Sequence, residues 1–159
     1  MALTPSQQTA LKAFINGDPT LSAFPNTADG AFAVAVLLNQ PATPSFFVWR
    51  SNMPTADAKK AMVWTEFIGR SAGERDAWTF MLSNGIINAS DANVRQGILD
   101  IFSGPSGAGT RAALLAIAAR LASVVEKLFS TGTGSQASPA TMTREGAVSF
   151  QDVWDARLS

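Results

Sequence analysis

The sequence predicts a mainly α fold: a helical bundle-like domain of five to six helices, with a short strand or two and an extended C-terminal arm. Three observations carry this reading. Apolar residues recur at three- and four-residue steps in several segments. The longest is residues 110–129, TRAALLAIAARLASVVEKLF, where Leu114, Ile117, Ala118, Leu121, Val124, Val125 and Leu128 share one face of a helix. Helix-start residues stand before these segments, and glycine or asparagine stands after several of them. Residues 131–143, TGTGSQASPATMT, abandon the pattern and are rich in Gly, Ser and Thr, as in a flexible or extended linker.

The elements follow in order. Thr4-Pro5 is a cap followed by proline in the first turn, and Leu11, Phe14 and Ile15 face inward until Gly17 stops the helix. Asp18-Pro19 restarts a short helical turn with Leu21 and Phe24, ended by Pro25. Asn26 or Thr27 caps the next helix. Its body, AFAVAVLL, is apolar all round and so predicts burial on most sides. Residues 41–53 are aromatic and β-prone around Phe46, Phe47, Val48 and Trp49, which predicts an extended segment or short strand. Pro54 opens a helix over residues 55–62, and residues 63–69 read as irregular. Ser71 or Ala72 starts a helix through Trp78 and Leu82. Ser90 with Asp91 caps another through Ile98 and Phe102. A loop, SGPSGAG, leads to the alanine-rich helix, which Thr110 can cap. Beyond the linker, Val148 and Phe150 alternate as in a strand, and the last residues turn helical. The expected organisation is a helical core over residues 1–130 and a linker with a docking arm over residues 131–159.

Composition narrows the function. Lys and Arg number 12 and Asp and Glu number 12, so a dedicated nucleic-acid binder, which needs a basic excess, is disfavoured. Charged residues make up only 15% against 47% hydrophobic ones, fewer charges than a solvated monomer of this size carries. Part of the surface is therefore expected to be covered by other protein. The chain has no cysteine and no histidine, which removes thiolate chemistry, the commonest general base and the commonest metal ligand. No metal and no cofactor is expected. Arg111 and Arg120 interrupt the alanine-rich segment well short of the ~20 apolar residues a membrane span needs. The opening MALTPSQQTALKAF has no basic stretch followed by an apolar run, so no secretory signal is expected.

One motif resembles chemistry. Gly104-Pro105-Ser106-Gly107-Ala108-Gly109 follows an apolar run and precedes a helix, the setting of a phosphate-binding loop. The next residues are Thr110 and Arg111, where that motif needs Lys and then Ser or Thr, so the lysine that reaches the phosphates is missing. The hexapeptide reads as a helix–helix turn. Glu74 and Asp76 do not share a helix face. Asp152 and Asp155 share one only near the terminus. Trp49, Trp64, Trp78 and Trp154 read as core or interface anchors. No catalytic residue is assigned, and an enzyme is not expected.

Four stretches together carry a resemblance: ALTPSQQTALKAFINGDPTLSAFPNTADGAFAVAVLLN, PSFFVWRS, GERDAWTFM and EKLFSTGTGSQASPATMTREGAVSFQDV. They resemble a family of small structural proteins of tailed bacteriophages and prophages. In outline the chain is similar to the head–tail adaptor (connector) proteins among them. The resemblance implies a virion structural protein at the head–tail junction, present in the host cytoplasm during assembly. It implies partners in the portal protein and in tail or neck proteins, within a homo-oligomeric ring, commonly a dodecamer in such proteins. No membrane and no sequence-specific nucleic acid would be bound. The arm would dock through Val148, Phe150, Val153 and Trp154. The alternatives are a capsid decoration or head-completion protein and, more remotely, a nucleotide-binding protein using residues 104–109.

Overall fold

The computed structural model describes residues 3–158. Its elements in chain order are α1 (Pro5–Gly17), α2 (Pro19–Ser22), α3 (Ala28–Leu38), β1 (Phe47–Trp49), β2 (Met53–Pro54), α4 (Thr55–Ala61), α5 (Trp64–Ile68), α6 (Ala72–Leu82), β3 (Ile86–Ile87) and α7 (Ala92–Ile101). After these come a 3-10 turn (Pro105–Gly107), α8 (Ala108–Ala118), β4 (Ala119–Leu121), α9 (Val124–Leu128), β5 (Ser130–Thr131), β6 (Thr141–Met142) and α10 (Phe150–Leu158). The protein is mainly helical, and its strands form three two-stranded sheets: β1–β4, β2–β3 and β5–β6. There are more helices than the five to six expected because the segment expected as one helix over residues 110–129 is divided into α8 and α9, residues 64–68 form a helical turn rather than an irregular stretch, and residues 150–158 form a full helix. The chain forms two compact units, Met1–Phe46 with Leu121–Ser159, and Phe47–Arg120. The boundary expected at 130/131 falls inside the first of them.

The first unit is built from α1, α2, α3, α9 and α10. Thr4 and Gln7 form a reciprocal capping box on α1. The Gln7 N–H donates to Thr4 Oγ1 at 3.3 Å, and the Thr4 N–H donates to Gln7 Oε1 at 3.0 Å. Asp18 ends α1 and caps α2, its Oδ1 accepting from the N–H groups of Thr20 and Leu21. Thr27 caps α3 through the Gly30 N–H. The core joins Leu11 and Ile15 of α1, Ala31, Val34, Ala35 and Leu38 of α3, and Val148, Val153 and Ala156. Helix α3 is buried on one face only. Phe32 is 62% exposed and Val36 44% exposed, where the sequence predicts burial on most sides. Within this unit α10 packs against both α3 and α1, and α9 touches the same two helices.

Residues 131–158 are held by specific contacts. Strand β5 pairs antiparallel with β6, Ser130 opposite Met142 and Thr131 opposite Thr141. Gly134 lies in this hairpin's loop at φ 65°, where a Cβ would come within 2.0 Å of the Phe46 ring. Val148 is held by the side chain of Asn39: Nδ2 donates to Val148 O at 2.8 Å, and Oδ1 accepts the Val148 N–H at 3.0 Å. No strand forms at 148–150. Ser149 and Asp152 instead make a capping pair that starts α10, the Asp152 N–H donating to Ser149 Oγ at 3.1 Å and the Ser149 N–H to Asp152 Oδ2 at 2.8 Å. At the far end Arg157 donates to the carbonyls of Phe24 and Pro25.

The second unit packs α4, α6, α7 and α8 around Met53, Met62, Trp78, Ile98, Phe102 and Leu114. Trp78 and Phe102 meet edge to face, with ring centroids 5.2 Å apart. Strand β2 pairs antiparallel with β3, Met53 opposite Ile87. The Arg95 guanidinium lies 4.7 Å from the Trp49 ring centroid and donates to the carbonyls of Ala89 and Ser90.

The helix expected over residues 110–129 is divided. Helix α8 ends at Ala118 and α9 begins at Val124. Backbone groups that a continuous helix would pair internally go elsewhere. Ala118 O accepts the Arg50 N–H, Ala122 N–H donates to Phe46 O, Ala122 O accepts the Ala42 N–H, and Val124 N–H donates to Gln40 O. Ser123 then restarts the helix through a capping box with Glu126. The apolar spacing survives because each half buries its own face, Leu114 and Ala118 in α8, Val125 in α9.

Asn39→Ala is expected to lower stability by about 1–3 kcal/mol, since it leaves both backbone groups of Val148 without their partner. Val153→Ala should cost about 2 kcal/mol through lost burial and the void left behind. Gly134→Ala should cost more than about 1 kcal/mol, because the new methyl meets the Phe46 ring at a left-handed backbone position. Urea unfolding monitored by far-UV circular dichroism measures all three.

Candidate functional site

The glycine-rich loop at residues 104–109 is where the sequence most resembles chemistry. Helix α8 begins at Ala108, and its N-cap residue, Gly107, has no side chain to cap it. Its free N–H groups are taken by a carboxylate from α5. The Gly109 N–H donates to Glu66 Oε1 at 3.1 Å, and the Thr110 N–H donates to Glu66 Oε2 at 2.7 Å. These are the donors that a bound phosphate would use. Thr110 Oγ1 meanwhile accepts the Val63 N–H at 3.1 Å, so α5 and the start of α8 are joined at two points.

The rest of the loop is pinned by arginines. Arg70 is buried and donates through Nε to Glu66 O at 3.4 Å, through Nη1 to Ser103 O at 3.0 Å, and through Nη2 to Ser106 Oγ. It also lies 3.8 Å from the Glu74 carboxylate. Arg111 donates to Phe102 O and Gly104 O. The loop is therefore a structural turn holding an internal carboxylate. A nucleotide phosphate would have to displace Glu66 to reach those N–H groups.

The electrostatics agree with this geometry. Hydrogen bonds from the Thr110 hydroxyl and backbone N–H, then from the Gly109 N–H, outweigh partial burial and hold the Glu66 carboxyl below its ordinary value, with Arg70 adding a smaller pull. Glu74 is lowered in the same direction, first by the Ser71 hydroxyl and then by the Ser71 N–H. Residues 63–69, read from sequence as irregular, form the helix that places Glu66. The residues it caps lie more than forty positions later, so no local pattern announces its role.

The expected docking residues do not form one exposed patch. Val148 and Val153 are buried in their own unit, and Trp154 packs against the same core. Phe150 is half-exposed at 47%. Larger exposed apolar groups lie outside the expected docking arm. Phe32 and Val36 stand one turn apart on α3, and Trp64 and Ile68 stand one turn apart on α5. Phe80 on α6 is exposed as well. Among the described residues no cluster of three or more acidic side chains is placed to hold a metal ion, and no helix is long and apolar enough to cross a membrane.

Comparison with known protein families, with curated proteins and with solved structures finds no match to this chain.

Glu66→Ala is expected to fray the start of α8 and to lower the unfolding midpoint, and backbone amide exchange at Gly109 and Thr110 reads the fraying directly. Because the folded pKa of Glu66 and of Glu74 is depressed, their stabilisation is present above the ordinary value near 4.5 and is lost as pH falls through the lowered folded value. Denaturant midpoints measured from pH 7 down to pH 3 should fall in that acid range, and less steeply in Glu66→Ala than in the native protein.

Proposed function

We propose that this chain is a virion structural protein, the ring-forming head–tail adaptor between portal and tail, acting by assembly rather than by catalysis. The observation that carries the reading is the exposure of large apolar side chains on helices of both units, on a chain in which only 15% of residues are charged. Phe32 and Val36 on α3, and Trp64 and Ile68 on α5, are the surfaces assigned to neighbouring subunits or to the portal. The resemblance of four sequence stretches to small structural proteins of tailed phages supports the same assignment. In this reading residues 131–159 contribute Phe150 to contacts outside the unit, while Val148 and Val153 serve its core.

Cryo-electron microscopy of the virion, together with copy number by quantitative mass spectrometry, tests the proposal. A single ring below the portal is expected. Phe32→Ser with Val36→Ser should leave the folded monomer intact by circular dichroism and reduce incorporation at least severalfold. Copies spread over the shell would replace the adaptor reading with decoration. Absence of the chain from the particle would overturn both.

A further inference from the structure

Within the second unit, the end of α4, α5 and α6 line an open pocket of about 430 Å³. Its wall is aromatic and aliphatic, formed by Met62, Trp64, Phe67, Trp78 and Leu82, and Lys59 brings an ammonium group to it. Trp64 and Phe67 stand edge to face at 5.7 Å, so two differently oriented rings line the same space. Size and lining both fall in the range of small-molecule sites.

Trp78 adds a second, independent feature. It is 1% exposed, and its indole Nε1–H has no acceptor from the protein, the one such buried side-chain atom among the described residues. Buried donors are nearly always paired, because an unpaired one forfeits its hydration without return. The other polar side chains of the wall have partners for their protons. Thr79 Oγ1 donates to Arg75 O at 2.9 Å, and Ser83 Oγ donates to Phe80 O at 2.7 Å. The pocket therefore offers an apolar box and a cation beside a buried indole whose N–H is unanswered, and no side-chain carboxylate lines it.

We infer that this pocket binds a small apolar carboxylate. Its ring-sized or branched body would lie against Trp64, Phe67 and Met62. Its charge would be met by Lys59, and an oxygen would supply the acceptor that Trp78 lacks. The site includes no residue of the Glu66-filled loop, and it does not rest on the adaptor reading, although it shares Trp64 with the α5 face that reading assigns to partners.

The test is nuclear magnetic resonance of the full chain labelled with nitrogen-15, following the four indole N–H signals while benzoate is added. Trp78→Phe assigns the Trp78 signal. If that variant does not fold, Trp49→Phe, Trp64→Phe and Trp154→Phe assign it by elimination. The expected result is a saturable downfield movement of the Trp78 signal with benzoate. Benzamide, which keeps the ring and the acceptor but not the charge, should bind about tenfold more weakly, and Lys59→Gln should abolish that preference. A Trp78 signal that stays fixed throughout the titration overturns the proposal. So does one shifted upfield by the Phe102 ring and insensitive to benzoate, since the N–H would then be directed at that ring face. Equal binding of benzoate by the native protein and Lys59→Gln would also overturn it.

Discussion

The path of the chain depends on backbone hydrogen bonds between residues 40–50 and residues 118–124, the pairing of β1 with β4 and four bonds flanking it. The alanine-rich segment has the propensity and the spacing of a single long helix. Helix formation gains one internal hydrogen bond for each residue added, so an interruption requires other partners for the groups it frees. The segment from Gln40 to Arg50 supplies them, and Ser123 with Glu126 caps the new start. The segment thereby becomes two helices, one for each compact unit, and the boundary between the units falls within it.

Charged side chains in this protein serve mainly as substitutes for missing backbone partners. Glu66 caps α8 from a different helix, Glu126 caps α9 and accepts the Gly146 N–H, and Asp152 completes the cap of α10. Arg70, Arg95, Arg111 and Arg157 each donate to carbonyls at chain turns or helix ends. With so few charges in the chain, this internal use leaves fewer to solvate the outer surface. The exposed faces of α3 and α5 follow from that allocation as much as from their own apolar sequences.

Much of the fold was legible in the sequence. Thr4, Asp18, Thr27, Ser71 and Asp91 each cap the helix expected of them, and residues 47–49 form the expected strand. The failures share a physical cause. Periodicity reports which face is buried, not whether the backbone is continuous, so the division of residues 110–129 was invisible to it. Its local signal was present in Ser123-Val124-Val125-Glu126, a capping-box spacing inside the apolar run. Ser149 with Asp152 gave a similar signal against the alternation of Val148 and Phe150. The Gly-rich composition of residues 131–143 correctly marked a change of character, but composition does not show that Gly134 is required by a nearby aromatic ring. Glu66 and the pocket around Trp78 are tertiary features, assembled from helices whose registry no local pattern encodes.

The docked C-terminal segment changes what an arm can do in assembly. For residues 131–159 to reach a neighbour as a free strand, Val148 and Val153 would have to leave the core, Asn39 would lose both bonds to Val148, and Arg157 would release the carbonyls of Phe24 and Pro25. Each step exposes apolar surface or strands a polar group, so together they oppose release by several kilocalories per mole. A partner would have to return that free energy through its own contacts before gaining any net affinity. Rigid exposed faces carry no such cost. Phe32 and Val36 on α3, with Trp64 and Ile68 on α5, are already presented on folded helices, so their burial would contribute to association directly.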